Sequence, residues 1–482
     1  FAIILGSLTI VITFASQNVP KLIDLYMDHW PSLFFVWWAA ACLIHAFTIK
    51  IFSEAGVEIV SSLIFNYHVL LAVSLVIGFP FVLSILKSTK TSNVIENLLQ
   101  GSYAKFKRLA KKGPTGIISQ EEHAKIQYQL FEELNQLMDL LVFVPYKEPK
   151  SQIIEGIGEL LRYYVKLKPK FPKDFYKIDQ QIHDDISFRT LKSLLAEVEK
   201  SHTFYEQKSF RMIGNVYNVF LDNGEFDLST LCVEQLSQVG KTAIECDDQE
   251  LIEVITVRLN TYFRFALKHG QHNNEPRNLY NLVFHYGQFL SYLVEHRQVD
   301  RVKTCIGYFV FYGQQCFNAI PRARSLAFIL DILASEMQKL MQIIYQNNWE
   351  RKLQQELLQK FLLFDNFQDM DKEIAIQFFS QNHGIRLLHI GLALFYLNQN
   401  EKEFAETIAK DTLQDLLLLG EPLFSKTMDT IFARLQYSGA KFWEDTDRGN
   451  VNIYYTPYQY EIEKFKKLQV KFKLESQKKI PA

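Results

Sequence analysis

Few residues in this chain have the types and spacing that catalysis or phosphate binding requires. Residues 111–116 (KKGPTG) are the one string that is similar to a phosphate loop. A phosphate loop needs G-x-x-x-x-G-K-[ST] after a strand, because its backbone amides must surround the phosphates. This string lacks that order and follows no predicted strand. We therefore predict that it forms a turn between two helices.

Three strings with histidine or acidic residues are the remaining candidates for chemistry. His183 precedes Asp184 and Asp185, but adjacent residues on a helix point apart and do not converge on one metal ion. Residues 245–250 (ECDDQE) could hold a cation or a basic partner, although acids at a helix N-terminus also complement the helix dipole, which we favour. Residues 445–450 lack the register and the final Glu of a calcium loop. We predict no metal, no cofactor and no catalysis.

The cysteines do not form a framework for zinc or for disulfides. Their number is odd and no two of them make a C-x-x-C pair. We predict free buried thiols in a reducing compartment. The five residues are Cys42, Cys232, Cys246, Cys305 and Cys316.

Three apolar segments open the chain, at residues 1–16, 31–52 and 66–87. A helix needs about 20 apolar residues to cross about 30 Å of hydrocarbon, and the second and third segments reach that length. The first is shorter and begins at Phe1 without a Met. We predict transmembrane helices over residues 1–87, preceded by a further helix upstream of Phe1.

A basic cluster follows the third apolar segment and sets the predicted orientation. Positive residues flank membrane helices on the cytosolic side, so the remainder of the chain is expected in the cytosol. The same side chains can either set topology alone or contact anionic lipid head groups. They are Lys87, Lys90, Lys105, Lys107, Arg108, Lys111 and Lys112.

Two features of the apolar segments allow a functional interpretation. Gly6, Thr9, Thr13 and Ser16 recur at spacings of three and four, so they share one face of the predicted first helix. Such a stripe either packs helices closely or lines a pore formed by several subunits. His45 is an ionisable group within the second segment. It is either functional or a neutral imidazole bonded to a neighbouring helix or to Cys42.

Apolar residues repeat at three and four positions through most of the remaining chain, which predicts helices. We expect a basic juxtamembrane helical region over 88–170 and a cytosolic helical domain over 171–482, built as a bundle or a solenoid. Residues 391–406 are similar to a tetratricopeptide hairpin, but no fixed repeat period is visible. Residues 450–455 are one possible strand. The predicted class is all-α.

Two strings resemble a known family. Residues 15–22 join an Ala-Ser pair to Pro-Lys-Leu, and a second string runs from 226–228 through 235–236 to Ala243. In both, the chain resembles bacterial multi-pass membrane proteins catalogued as a domain of unknown function. It departs at 245–249, where that family carries Gly-x-Asn-Asp-Pro. The resemblance implies four membrane helices, a location in the bacterial inner membrane and a cytosolic C-terminal region. It implies no activity.

These observations favour one function and leave two alternatives. The net charge of −1 gives no global field for nucleic acid. We expect an oligomeric, membrane-anchored helical interaction platform whose partners are the lipid bilayer and either further copies of the chain or a membrane complex. The first alternative is a channel or transport subunit with a pore lined by the first helix. The last is a membrane-bound enzyme.

Overall fold

A computed structural model of the protein describes residues 30–74, 76–77, 90–185, 187–188, 193–364, 372–446 and 449–477. These residues are mostly helical, and the one sheet among them has two strands. The predicted all-α class is therefore confirmed. The chain divides into two compact units, Phe1–Met212 and Ile213–Ala482, and the division falls within one helix.

The first unit holds seven complete α-helices among its described residues and the start of an eighth. The π-helix Asn66–Leu70 follows α2, and short 3-10 turns occupy Lys168–Lys170 and Lys173–Tyr176. The helices are α1 (Trp30–Glu54), α2 (Val60–Phe65), α3 (Thr91–Lys112), α4 (Gln120–Phe143), α5 (Lys147–Leu167), α6 (Gln180–His183), α7 (Leu195–Lys200) and α8 (Phe204–Asp222).

The predicted membrane spans are not supported by the described residues. None of the helices that the structure describes is both long and apolar enough to cross a bilayer. Of the predicted span at 66–87 the structure describes residues 66–74, 76 and 77, which are helical and begin with the π-helix, and the rest lies outside the described residues. The span at 31–52 coincides with α1, which carries Lys50 and Glu54 at its end. The predicted helix at 1–16 lies outside the described residues.

Helices α3, α4 and α5 pack together around an aromatic core in the first unit. Phe106 from α3 contacts Tyr164 from α5, with ring centroids 5.0 Å apart, and Tyr205 from α8 at 5.2 Å. Each of these three rings is fully buried. Edge-to-face contacts of this kind add about 1 kcal/mol to the gain from burial alone. The predicted use of the aromatic residues in core packing therefore holds here.

The second unit continues with twelve α-helices and a β-hairpin among its described residues, after the end of α8. They are α9 (Phe226–Glu245), α10 (Gln249–Asn273), α11 (Arg277–Glu295), α12 (Val299–Ala319), α13 (Leu326–Gln346), α14 (Arg351–Leu362), α15 (Lys372–Gln381), α16 (Gly384–Asn398), α17 (Lys402–Thr412), α18 (Gln414–Leu419), α19 (Glu421–Tyr437), β1 (Lys441–Thr446), β2 (Gly449–Val451) and α20 (Ile462–Gln477).

Eight of these helices form four stacked hairpins in two layers. The first layer contains α9, α11, α13 and α16, each of which packs against the next. The second layer contains α10, α12, α14 and α17, which pack in the same order. Each hairpin has one apolar face that it can bury only against a neighbouring hairpin, as in a solenoid. The solenoid-like arrangement predicted from the sequence is present in this unit.

The turn inside each hairpin has the same backbone form. Asp247, Arg297, Asn348 and Asn400 all adopt positive φ, between 50° and 62°, and lie about 50 residues apart. In each case the next amide donates to a carbonyl five residues earlier, for example Asp248 N to Ala243 O at 2.9 Å. This is the Schellman ending of a helix. The predicted tetratricopeptide-like hairpin at 391–406 contains the last of these turns.

Hydrogen bonds join equivalent positions of neighbouring hairpins. Ser229 Oγ donates to Asn278 Oδ1 at 3.0 Å, 49 residues away, and Tyr312 Oη donates to the Asn260 carbonyl at 2.8 Å, 52 residues away. Ser325 Oγ donates to Asn274 Oδ1 at 2.8 Å, 51 residues away. Because the separation recurs, the second unit is built from a structural repeat of about 50 residues.

The C-terminal elements cover the last hairpin. Helix α20 packs against α16 and α17, and α19 also contacts α16. As a result nearly every residue of α16 is buried. Strands β1 and β2 pair antiparallel, with Lys441 opposite Val451, so the possible strand at 450–455 is confirmed in its first two residues. Covering the end of a stack removes the apolar surface that a missing neighbour would leave.

Candidate interaction face

One side of the first layer is open to solvent and runs across neighbouring hairpins. On α9 the half-buried residues Thr230, Glu234, Gln238 and Lys241 repeat at spacings of three and four. This spacing places them on one stripe of the helix, opposite the apolar residues that face the core. We call the stripe on α9 and its continuation on α11 the open face.

Helix α11 extends the open face with aromatic side chains. Phe284, His285, Gln288 and Tyr292 are half-buried there and again recur at three and four positions. Asn281 Nδ2 donates to Thr230 Oγ1 at 3.0 Å, so the two stripes are in direct contact. Aromatic side chains with a polar edge bury a large apolar area while keeping a hydrogen-bonding group.

Electrostatic contacts fix the far end of the open face. Tyr292 Oη donates to Glu245 Oε1 at 2.8 Å, and its ring lies 4.3 Å from His296. The hydrogen bond to the Glu245 carboxylate raises the pKa of Tyr292, because it favours the protonated phenol. At the other end, the rings of Tyr280 and Phe328 stack at 5.8 Å between α11 and α13. These bridges limit side-chain motion and so lower the entropy cost of binding.

The strongest cluster of ionisable groups lies inside the fold. Arg386 donates to both carboxylate oxygens of Asp415, at 2.7 and 2.8 Å, and also to Asp411. The Nδ1 atom of His389 lies 3.2 Å from the same guanidinium. Burial, reinforced by Arg386, holds the pKa of His389 well below its usual value, and burial raises the pKa of Asp415. The cluster is buried and joins α16, which carries Arg386 and His389, to α17 and α18, which carry Asp411 and Asp415.

A second buried contact ties the β-hairpin region to the stack. Tyr454 Oη donates to Asp331 Oδ2 at 2.7 Å, and the Arg434 guanidinium lies 5.5 Å from the Tyr454 ring centre. Burial raises the pKa of Asp331 to about 6, against the effects of Tyr454 and Arg434.

The strings considered for metal binding have other roles. Within the described residues no group of three or more His, Cys, Asp or Glu side chains is placed to hold a metal ion. The buried Lys208 ammonium donates to both carboxylate oxygens of Asp185 at 2.9 Å and to the Ser187 hydroxyl at 2.9 Å. Asp248 accepts from the Leu251 amide at 3.1 Å and so caps α10, as the dipole interpretation predicts. Residues 111–116 form the predicted turn, with Gly113 at φ 74°.

The basic cluster is partly neutralised by acids of α4. Lys105 pairs with Glu133 at 2.5 Å, and both Arg108 and Lys112 pair with Glu122 at 2.6 Å. Lys90, Lys107 and Lys111 are exposed. Lys87 lies outside the described residues. Contact of the cluster with lipid head groups stays a prediction, and the paired side chains contribute less charge to it than the sequence implied.

The candidate residues of the apolar segments are less fully described. Gly6, Thr9, Thr13 and Ser16 lie outside the described residues, so the choice between packing and a pore stays open. His45 is half-buried on α1, and its ring meets Phe65 edge-on at 6.1 Å. Its predicted neighbour Cys42 instead lies 3.7 Å from the Ser74 hydroxyl.

All five cysteines are free, as predicted; Cys232, Cys305 and Cys316 are buried as expected, whereas Cys42 and Cys246 are only half-buried. Burial raises the pKa of Cys305 to about 11, which keeps it a thiol at neutral pH.

Comparisons with known proteins find little similarity. No protein-family model matches the chain, and no curated protein matches it. One solved structure is similar, a "circular tandem repeat protein with novel repeat topology and enhanced subunit contact surfaces". It is 13% identical with a TM-score of 0.38, and the match covers 98% of this chain and 100% of that one. At this TM-score the similarity supports no statement about fold or function.

Proposed function

We propose that this chain is a membrane-associated interaction scaffold that binds a partner protein on the open face of its second unit. The observation that supports the proposal is the open face itself, a stripe that crosses two neighbouring hairpins and combines aromatic, amide and charged side chains. Binding surfaces of proteins are enriched in aromatic residues within a polar surround. The proposal requires no catalytic step.

The stack supports this role because it holds the surface in place. Neighbouring hairpins are joined by hydrogen bonds at equivalent positions, and the bridge between Asn281 and Thr230 lies on the open face itself. A surface held on rigid helices loses little conformational freedom when a partner binds. Solenoid folds commonly use such continuous surfaces to hold proteins.

Site-specific photo-cross-linking tests the protein-binding role. A photoreactive phenylalanine analogue replaces Gln288 at the centre of the open face, or Val257, which is exposed on the second layer, as the matched control. Irradiation of the host cells is expected to give one discrete adduct from position 288 and none from position 257. Equal adducts from both positions, or none from position 288, would contradict the proposal.

The membrane-associated role is supported by α1, α2 and the residues after them. Large apolar side chains are exposed there, including Trp37, Ile44, Phe47 and Ile64. The first three of these lie on α1. Moving a side chain of this size out of water contributes about 2 kcal/mol of free energy, so their exposure is unfavourable unless something covers them. A lipid bilayer would cover this surface.

Flotation with liposomes tests this second part. The full chain is expected to float with vesicles of neutral lipid, and Ile44→Glu together with Phe47→Glu is expected to reduce the floated fraction at least tenfold. Val257→Glu is the control, because Val257 is exposed in the second unit. Flotation that the paired substitution leaves unchanged would count against membrane association through α1.

A further inference from the structure

A groove lies on the second layer, away from the open face of the first. It is formed by the C-terminal parts of α10 and α12 and by the connection from α12 to α13, and its volume is about 440 Å³. Its polar lining consists of three cationic or ionisable side chains and three amides, and we call it the basic groove. They are Lys268, His272, Arg322, Gln271, Gln315 and Asn318.

The charge of the basic groove is not balanced by nearby carboxylates. None of the lining residues is acidic, and neither Lys268 nor Arg322 forms an ion pair with any residue that the structure describes. The other cations of α12 differ, because Arg301 pairs with Glu253 and Lys303 pairs with Glu356 at 3.1 Å. The groove therefore holds two cations that no ion pair neutralises within the described residues.

Helix dipoles offset only part of this charge. The C-terminal ends of α10 and α12 meet at the groove, and each carries roughly half of one negative elementary charge. Lys268 and Arg322 together carry two positive charges. These two side chains leave the groove with about one positive charge, and an anion is attracted to it.

The connection that carries Arg322 is held in place. Asn274, at the end of α10, adopts φ 50°, and its side-chain oxygen accepts from the Ser325 amide at 3.2 Å and from the Ser325 hydroxyl at 2.8 Å. Ala323, next to Arg322, is fully buried. Because Ala323 and Ser325 are fixed, the Arg322 backbone is positioned at the groove before any ligand arrives.

We propose that the basic groove binds a small polyanion that carries phosphate groups. A guanidinium forms paired hydrogen bonds with phosphate, an ammonium adds a point charge, and the amides supply further donors. The six polar side chains are exposed, so the groove is shallow and suits a strongly hydrated anion that stays partly in water. The lining residues include no Phe, Tyr or Trp, so the groove lacks the large aromatic side chains on which nucleotide bases most often stack. The expected ligand is therefore a compact polyphosphate.

This inference is tested by titrating the purified full chain with inorganic tripolyphosphate and measuring the heat of binding by calorimetry. Binding to the unmodified chain is expected at micromolar to low millimolar concentration. Lys268→Gln and Arg322→Gln are each expected to weaken it at least tenfold. Arg324→Gln is the matched control, because Arg324 is an exposed arginine of the same connection that lines a different pocket. This variant is expected to change the affinity less than twofold.

Each alternative result would overturn the proposal. If the unmodified chain does not bind tripolyphosphate at low millimolar concentration, the groove is not a phosphate site. Equal losses in Arg322→Gln and Arg324→Gln would show general attraction to the positive connection instead of a defined site. Circular dichroism of each variant confirms that the fold is retained, and the outcome does not depend on whether the open face binds a partner.

Discussion

The packing of the first layer predicts the effect of a single methyl group at Gly240. This glycine lies on α9, where a Cβ atom would come 2.7 Å from Cδ2 and Cε2 of the Phe289 ring on α11 and 3.3 Å from Ile255. The Phe289 ring is fully buried, so it cannot move out into solvent to make room. Gly240→Ala therefore forces α9 and α11 apart.

The expected change follows from two opposing terms. Overpacking a filled core costs about 1 to 3 kcal/mol, while replacing a helical glycine by alanine gains about 1 kcal/mol. We expect Gly240→Ala to lower the free energy of unfolding by about 1 kcal/mol. Gly307→Ala on α12 is the matched control, because nothing lies within 4 Å of its added Cβ. It is expected to raise the free energy of unfolding by up to about 1 kcal/mol.

Urea denaturation monitored by circular dichroism at 222 nm measures both variants. A destabilised Gly240→Ala beside a stabilised Gly307→Ala is the predicted pattern, with a difference of about 2 kcal/mol between them. If both variants are stabilised to the same extent, α9 and α11 are not in the contact that the structure shows. The reasoning about the first layer would then be refuted.

Two further predictions concern buried charges. Folding raises the pKa of Asp331 from 3.8 to about 6, so the folded state holds an extra proton between these values and the free energy of unfolding falls by about 3 kcal/mol as pH rises through them. Asp331→Asn should remove this dependence in urea titrations at pH 4 and pH 7.5. An unchanged dependence would exclude Asp331 as its source. Arg386→Met leaves the Asp415 and Asp411 carboxylates without their guanidinium and should lower the free energy of unfolding by about 3 to 5 kcal/mol. A decrease below about 1 kcal/mol in the same assay would contradict the contacts of this cluster.

Individual helices were predictable because each has an apolar stripe with helical spacing. Leu130, Leu134, Leu137 and Leu141 recur at three and four positions, and all four are buried in α4 as that spacing predicts. The local start signal is also present, since Ser119 accepts from the Glu122 amide and caps α4. Periodicity and capping are local properties, so the sequence reveals them directly.

The repeat of about 50 residues was not visible in the sequence for a physical reason. Its turns share a backbone conformation but not a residue type, since Asp247, Arg297, Asn348 and Asn400 occupy the same position. The last interval also contains an additional helix, α15, after a shorter α14, so the helix pattern differs there although the spacing of the turns does not. A hairpin stack constrains where helices begin and end more strongly than which side chains occupy the turns.

The open face and the basic groove depend on contacts between distant residues. Lys268 and Arg322 belong to different hairpins, and only the stacking of α10 beside α12 brings them to one groove. Sequence composition did indicate the cluster at 87–112, but it could not show that Glu122 and Glu133 pair with three of those bases. Tertiary pairing decides whether a charge is available to a ligand.

Cross-linking of cysteine pairs tests most directly whether neighbouring hairpins form one face. Thr230→Cys with Asn281→Cys places two thiols where the native side chains meet at 3.0 Å. Thr230→Cys with Gln288→Cys is the control, because position 288 is displaced by about 10 Å along α11. We predict rapid coupling of the first pair by a short bifunctional maleimide and little coupling of the second. Equal coupling of both pairs, or none of the first, would contradict the stacked arrangement.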